Sequence, residues 1–124
     1  MQVKIDTSER FHAITIKEAT VSANMTDFLE NKLYALLEEP IRNVLLNWAE
    51  VEIVEREVLE RVIKIQQRFA EKKASLISCA IQPSVKELLR NWDLVDELNQ
   101  VPTQPEAIDM ILMEEIEREL DGEL

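Results

Sequence analysis

Histidine and cysteine, which often carry out acid–base and metal chemistry, are scarce in this chain. His12 is the only histidine and Cys79 the only cysteine among 124 residues. His12 stands beside Phe11 in an alternating segment, and no partner motif for an imidazole-based triad accompanies it. A zinc site takes three or four nitrogen or sulfur ligands, so one His and one Cys do not form an ordinary one. Cys79 lies in the apolar run 75–81 and is expected to be a buried thiol without a disulfide partner.

Acidic side chains are the remaining candidates, and they form two clusters. Helical spacing spreads each cluster around a surface and does not bring it together at one point, and neither cluster contains a calcium-loop pattern. We therefore interpret both clusters as solvated surface. The first comprises Glu50, Glu52, Glu55 and Glu57, and the second Glu114, Glu115, Glu117 and Glu119.

The glycine content excludes nucleotide binding through a glycine-rich phosphate loop or a dinucleotide fingerprint. The only glycine is Gly122, near the end of the chain. Phosphate loops and dinucleotide fingerprints need glycines so that the backbone can approach the phosphates closely. We expect no cofactor and no enzymatic activity, and an enzyme would require a deep pocket with convergent polar groups that no motif indicates.

The charge balance argues against nucleic acid and membranes as partners. Asp and Glu number 25 against 14 Lys and Arg, so the net charge is −11, which repels phosphate backbones and anionic lipids. Residues 106–124 hold eight acids and one Arg, or −7, which leaves −4 for the rest. The longest apolar runs, such as 44–46, are far shorter than the ~20 residues of a membrane span. The first seven residues lack the pattern of a signal peptide, so we expect a cytoplasmic protein.

Strand and helix patterns alternate along the chain and define the elements that carry these residues. Residues 3–5 and 11–15 alternate as strands joined by a hairpin turn at 6–10. Asn24 is expected to cap a helix that ends before Pro40. Short apolar runs near 44–46 and 76–81 indicate buried strands, and 97–101 a last short one.

Three further helices follow these strands. The first has an apolar stripe, Val54, Val58, Val62, Ile65 and Phe69, and the others begin at Pro83 and Pro105. The order is β-β-α-β-α-β-α-β-α. Helical crossovers predict parallel strands, and the first hairpin is antiparallel, so we expect an α/β fold with a mixed sheet of four to five strands and about four helices.

Two stretches resemble the STAS domain family, which includes the bacterial anti-sigma factor antagonists. They are NVLLNWAEVEIVEREVL at 43–59 and the segment 75–98, whose part IQPSVKELLRNWDLVDEL is similar to the family's third-helix region. The ending PEAIDMI, at 105–111, resembles the family's final helix. The resemblance implies a STAS-like domain over residues 1–111, followed by an acidic amphipathic helical extension over 112–124.

The loop before the long helix departs from the family pattern Asp-Ser-Ser/Thr-Gly-Leu. Aligned on Leu59, the resemblance puts Glu55 in place of the Asp, Arg56 in place of the phosphorylated serine, Glu57 in place of the second hydroxyl residue and Val58 in place of the Gly. Neither Arg56 nor Glu57 has the hydroxyl that phosphate transfer needs. Glu57 is then either a fixed phosphate mimic or part of an unmodified contact surface, or these are exposed charges that favour the helix dipole.

The resemblance implies a non-catalytic protein-binding module that acts as an anti-sigma factor antagonist, in bacterial signalling and transcription regulation. Its partner would be a kinase-like anti-sigma factor or another signalling protein. The alternative is a structural STAS-like subunit of a cytoplasmic assembly, such as a lipid ABC transporter complex. The predicted partner-binding residues are Glu52, Glu55, Arg56, Glu57, Glu60, Ser22 and Asn24.

The last helix carries an apolar row at steps of four, namely Ile108, Leu112, Ile116 and Leu120. An apolar row must be covered. Either it packs on its own domain, or it contacts a second copy as a homodimer, or it contacts a partner whose basic surface suits the acidic side of the helix.

Overall fold

The computed structural model describes residues 1–123, and within them it has seven strands, four α-helices and one 3-10 turn at Ala23–Met25. The helices are α1 (Thr26–Leu36), α2 (Arg56–Glu71), α3 (Pro83–Asn91) and α4 (Gln104–Glu123). The strands are β1 (Val3–Thr7), β2 (His12–Ile16), β3 (Thr20–Val21), β4 (Val44–Asn47), β5 (Ile53–Val54), β6 (Leu76–Cys79) and β7 (Gln100–Val101).

The main sheet has five strands in the order β1-β2-β4-β6-β7. Strands β1 and β2 form an antiparallel hairpin, whereas β2, β4, β6 and β7 run parallel. The expectation of a mixed sheet with about four helices, in the STAS-like order, is confirmed. The structure adds a second, parallel sheet made of β3 and β5, which are too short at two residues each to produce a sequence pattern.

The two faces of the main sheet are covered unequally. Alternate side chains of a strand point to opposite faces, so Val44 and Leu46 join the larger core while Leu45 joins the smaller one. Helices α1, α2 and α3 contribute to the larger core, and the predicted α2 stripe is entirely buried in it. Helix α4 covers the other face alone, through Ala107 and Ile111.

One predicted helix cap is wrong. Asn24 lies inside the 3-10 turn Ala23–Met25, and Met25 occupies the N-cap position of α1 without a side-chain cap. The hydroxyl of Ser22 donates to the side-chain oxygen of Asn24, and the hydroxyl of Thr26 donates to the carbonyl of Ala23 at 2.6 Å. These local hydrogen bonds stabilise the turn, so the regular helix begins two residues later than Asn24.

The predicted apolar row of α4 is only partly covered by its own domain. Helix α4 runs without a break across residues 111 and 112, and Ile111 is fully buried. Ile116 and Leu120, however, are each 57% exposed. Of the three alternatives for this row, packing on its own domain therefore does not hold for Ile116 and Leu120.

Polar contacts determine which side of that second half faces the sheet. Arg10, Asn43 and Ser75 precede β2, β4 and β6, and all three contact α4. The amide of Asn43 donates to Glu115 Oε1 at 2.6 Å, and Arg10 forms an ion pair with Glu115 at 2.9 Å. The guanidinium of Arg118 donates to Ser75 Oγ at 3.1 Å and to Asn43 Oδ1 at 3.3 Å. The inner side of this half is therefore polar.

Candidate functional site

The loop between β4 and α2 lies at the carboxyl end of the parallel strands, where α/β sheets usually place their binding sites. Trp48 and Val51 are fully buried and anchor this loop. The backbone N–H of Trp48 donates to the carbonyl of Cys79 at 3.0 Å, and that of Val51 donates to Trp48 at 3.0 Å. The exposed residues that follow are thus attached to a fixed backbone.

The small sheet joins this loop to the segment before α1. Val21 of β3 pairs with Val54 of β5, and the backbone N–H of Glu55 donates to the carbonyl of Val21 at 3.1 Å. The carboxylate of Glu55 accepts a hydrogen bond from the backbone N–H of Ala23 at 3.0 Å. The structure therefore brings the two predicted partner-binding segments together.

We call the resulting patch the α2-edge surface. It holds four carboxylates and one guanidinium, and all of these side chains are exposed, while Ser22 is half-buried and Asn24 exposed. At neutral pH its formal charge is −3. Its members are Ser22, Asn24, Glu52, Glu55, Arg56, Glu57 and Glu60.

Helix α2 begins at Arg56, with Glu55 in the N-cap position and Glu57 in the first turn. Arg56 Nε lies 3.5 Å from Glu60 Oε1, one turn further along the helix. Two carboxylates near a helix N-terminus interact favourably with the helix dipole. Neither residue 56 nor residue 57 offers a hydroxyl for phosphorylation.

Arg61 links the start of α2 to α1. Its guanidinium lies 3.3 Å from Asp27, 3.2 Å from Glu30 and 3.9 Å from Glu57. The positive charge therefore partly neutralises Glu57. This arrangement reduces the field that Glu57 presents to solvent.

The third helix supports the same loop. The hydroxyl of Ser84 donates to the carbonyl of Glu52 at 2.9 Å, and the amide of Gln82 donates to that of Ala49 at 2.7 Å. The loop is thus held from three sides by β6, β3 and α3. Such support keeps an interaction surface in one conformation before a partner binds.

Two exposed apolar side chains that lie close in the chain to members of the α2-edge surface were missed by the sequence analysis: Ile53 follows Glu52, and Phe28 comes four residues after Asn24. Ile53, in β5, is 57% exposed, and Phe28, in α1, is 43% exposed. Phe28 follows Asp27, which contacts Arg61. Phe28 could have been found from the sequence, because it lies outside the four-residue spacing of Leu29 and Leu33, which face the core.

His12 and Cys79 have structural roles. His12 is buried; its Nε2 donates to the carbonyl of Ile41 at 2.8 Å, which leaves Nδ1 to accept from the hydroxyl of Thr7 at 2.8 Å. Cys79 is fully buried, and burial raises the pKa of its thiol to about 11. Within residues 1–123, no group of three or more His, Cys, Asp or Glu residues is placed to hold a metal ion. The same residues include no helix long and apolar enough to cross a membrane.

Comparison with known proteins connects this architecture to one family. The profile of the STAS domain matches residues 2–107. An anti-sigma factor antagonist from Mycobacterium paratuberculosis superposes with a TM-score of 0.74 at 11% identity, covering 89% of this chain and 92% of that one. RsbS from Moorella thermoacetica, carrying a serine-to-glutamate substitution, gives 0.72 at 17% identity, covering 90% and 95%.

The Bacillus anti-sigma factor antagonist SpoIIAA is also similar and has been solved in two forms. Its unphosphorylated form has a TM-score of 0.70 and its phosphorylated form 0.64, both at 12% identity. The match covers 89% of this chain and 96% or 99% of those chains. No curated protein sequence matches the chain. At these identities the structural likeness shows a shared fold.

Proposed function

The chain belongs to the STAS domain family, and from this we propose that it is a non-catalytic protein-binding module that acts as an anti-sigma factor antagonist does. Its partner would be a kinase-like anti-sigma factor or a related signalling protein. The α2-edge surface would form the contact. STAS domains are generally regulatory modules without enzymatic activity, and several structural neighbours are anti-sigma factor antagonists.

The observation that carries this proposal is the joining of two distant chain segments into one exposed patch. The hydrogen bond from Ala23 to Glu55 and the β3–β5 pairing hold the segments side by side. Ile53 and Phe28 add exposed apolar area beside the charges. Interfaces draw most of their energy from a few such anchors within a polar rim. Supported loops, charge and apolar anchors together suit protein recognition.

We further propose that this surface acts without phosphorylation at the start of α2. Arg56 occupies the first helical position and has no hydroxyl. Glu57 would be only a weak phosphate mimic, because a carboxylate has less charge and fewer acceptor oxygens than a phosphate. Arg61, 3.9 Å away, reduces its field further. An unmodified contact surface is therefore the interpretation that we favour.

The first experiment measures binding to purified kinase-type anti-sigma factors encoded in the same genome. Isothermal titration calorimetry would compare the wild type with the double variant Glu52→Lys/Glu57→Lys. We expect the double variant to bind at least about tenfold more weakly, because it reverses charge at the centre of the contact. A matched control, Glu38→Lys/Glu71→Lys, reverses two exposed charges elsewhere and should bind as the wild type does. An equal loss of affinity in both double variants would reject the proposal that the α2-edge surface forms the contact.

A second experiment tests the absence of phosphorylation. Incubation of the wild type with the binding kinase and ATP should leave the α2-edge surface unmodified in mass spectrometry, including the hydroxyl of Ser22. Arg56→Ser introduces a hydroxyl at the start of α2, and this serine should accept phosphate. Glu57→Gln distinguishes the two roles of Glu57. If Glu57 acts as a phosphate mimic, removing its charge should abolish that effect on partner binding entirely. If Glu57 is only a contact residue, the substitution should weaken binding by only a few fold. Binding to a transporter ATPase and to no kinase would favour the assembly-subunit alternative.

A further inference from the structure

The outer side of α4 is an exposed apolar surface. Met113 is 61% exposed, and Ile116 and Leu120 are each 57% exposed. Their spacing of three and four residues places them on one side of the helix, opposite Ala107 and Ile111, which pack on the sheet. We call Met113, Ile116 and Leu120 the α4 outer face.

An apolar groove continues this face toward the edge of the sheet. A cavity of about 360 Å³ lies between α4 and β7. Val101, Met110 and Met113 form its apolar lining, and Met113 belongs also to the α4 outer face. Methionine side chains adapt to partners of varied shape. The groove and the outer face share Met113 and together form one apolar surface.

The exposure of this surface is built into the fold. Turning α4 so as to bury Ile116 and Leu120 would withdraw Arg118 from Ser75 and Asn43. Asn43 and Ser75 are buried, and a buried polar group that loses its partner destabilises the protein. The polar contacts at the strand starts therefore keep the apolar side of the helix facing outward.

The charge around the surface selects its occupant. The groove is bordered by Glu106, Asp109, Glu114 and Glu117, and no basic residue lines it. Within the described part of the chain, no ion pair involves Glu106, Asp109 or Glu117. A second copy that docked through the same surface would place carboxylates against carboxylates, and anionic lipid would be repelled in the same way. We propose that this surface binds a basic amphipathic helical segment of a partner protein.

An amphipathic helix binds by placing its apolar side in a groove, with residues at i, i+3, i+4 and i+7 as anchors. Lys and Arg on its flanks would then face the acidic rim. This inference does not rest on the proposed function, because α4 and α2 lie on opposite faces of the sheet. The protein would thus have two separate contact surfaces.

The test uses the full chain and a synthetic probe. The probe is a fluorescent peptide of about 18 residues, with Leu at the anchor positions and Lys or Arg at most others. A scrambled peptide of the same composition keeps the charge and loses the apolar side. Fluorescence polarisation should detect binding of the probe, and Ile116→Gln/Leu120→Gln should weaken it at least about tenfold, since it removes two anchors. Val95→Gln, which changes an exposed apolar residue outside the surface, serves as the matched control.

A charge variant tests whether the acidic residues around the groove contribute to binding. Glu106→Gln/Asp109→Asn/Glu117→Gln should lower the affinity for the probe by several fold at low salt. The loss should be smaller at high salt, where screening already reduces the attraction. Circular dichroism melts of all variants check that they remain folded.

Three outcomes would overturn the inference. The first is equal binding of probe and scrambled peptide, which indicates charge alone. The second is absence of probe binding by the wild type. The third is a dimer in sedimentation that Ile116→Gln/Leu120→Gln dissociates, which assigns the surface to a second copy.

Discussion

Helices α2 and α4 carry similar apolar rows, yet the two rows differ in how far they are buried. The α2 row is completely buried between α2 and the sheet, whereas the α4 row is exposed at Ile116 and Leu120. Both rows follow from spacings of three or four residues, which predict an amphipathic helix. The pattern alone therefore does not decide whether an apolar row is covered.

The spacing of each row explains part of the difference. An α-helix turns about 100° per residue, so a step of four residues rotates about 40° forward and a step of three about 60° back. From Val58 to Phe69, steps of four, three and four keep the α2 row within an arc of about 60° around the helix. From Ile108 to Leu120, three steps of four rotate the α4 row by about 120°. The α4 row winds away from the sheet.

The length of the sheet explains the rest. Strands β4 and β6 have four residues, or about 13 Å, whereas the 20 residues of α4 extend about 30 Å. The second half of α4 thus passes beyond the apolar part of the sheet. There it meets the polar residues that precede the strands, such as Asn43 and Ser75, and presents Arg118 to them.

The largest expected difference between the helices is in a pair of matched substitutions. Ile65→Ala in α2 should lower the free energy of unfolding by about 2–5 kcal/mol, because it leaves a cavity in the core. Ile116→Ala in α4 should change it by less than about 0.5 kcal/mol, because the side chain is mostly exposed. Urea unfolding followed by circular dichroism measures both values. Equal losses would show that Ile116 is covered in solution.

Cys79 reports on whether α4 stays on the sheet, because its side chain packs with Ala107 and Ile111. Burial raises the pKa of this thiol from 9.0 to about 11, so its thiolate fraction at pH 8 falls about a hundredfold. Alkylation of the native protein should be slower by at least this factor than alkylation in urea, which mass spectrometry can measure. Comparable rates in both states would show that α4 leaves the sheet readily.

The same pKa shift implies a pH dependence of stability. Between about pH 9 and 11 the unfolded chain loses the Cys79 proton while the folded protein keeps it. The free energy of unfolding contributed by this group should therefore fall as the pH rises through that window. Cys79→Ala should remove this component from unfolding curves measured at pH 8.5 and 10.5. An unchanged pH dependence in the variant would contradict the assignment.

The polar contacts of α4 should contribute somewhat less to the free energy of unfolding than the buried row of α2 does. Asn43→Ala removes the acceptor of the Ser75 N–H and the donor to Glu115, so unfolding should become easier by about 2 kcal/mol. Hydrogen exchange should accelerate in residues 112–120 more than in α2. Asn31→Ala, on the exposed side of α1, is the control and should leave both measurements nearly unchanged. A uniform acceleration would mean that Asn43 supports the whole fold equally.

The smallest effect is expected at the α2-edge surface. Glu60→Gln breaks an exposed pair with Arg56, and the free energy of unfolding should change by less than about 0.5 kcal/mol. Glu71→Gln, which breaks the similar pair with Arg68 at the other end of α2, is the matched control. A loss above 1 kcal/mol for Glu60→Gln alone would assign these charges to stability and not to recognition.

Much of the fold was predictable because its signals are local. Alternating residues and short apolar runs indicated strands β1, β2, β4 and β6, and the α2 row indicated its buried side. Only the family resemblance led to the expectation that residues 22–24 share a surface with the start of α2. Strands β3 and β5 carry too few residues for a pattern, so the direct hydrogen bond between Ala23 and Glu55 became visible only in the structure.

The sequence by itself determined the alternation of strands and helices, the lack of glycine-rich loops, the acidic charge and the missing hydroxyls at residues 56 and 57. These properties depend on residue type and spacing alone. Only the tertiary structure decided which side of α4 faces outward. That choice depends on Arg10, Asn43 and Ser75, which are separated by more than 30 residues each and meet only when the parallel strands align their starts. Contacts of this kind leave no periodic signal along the chain.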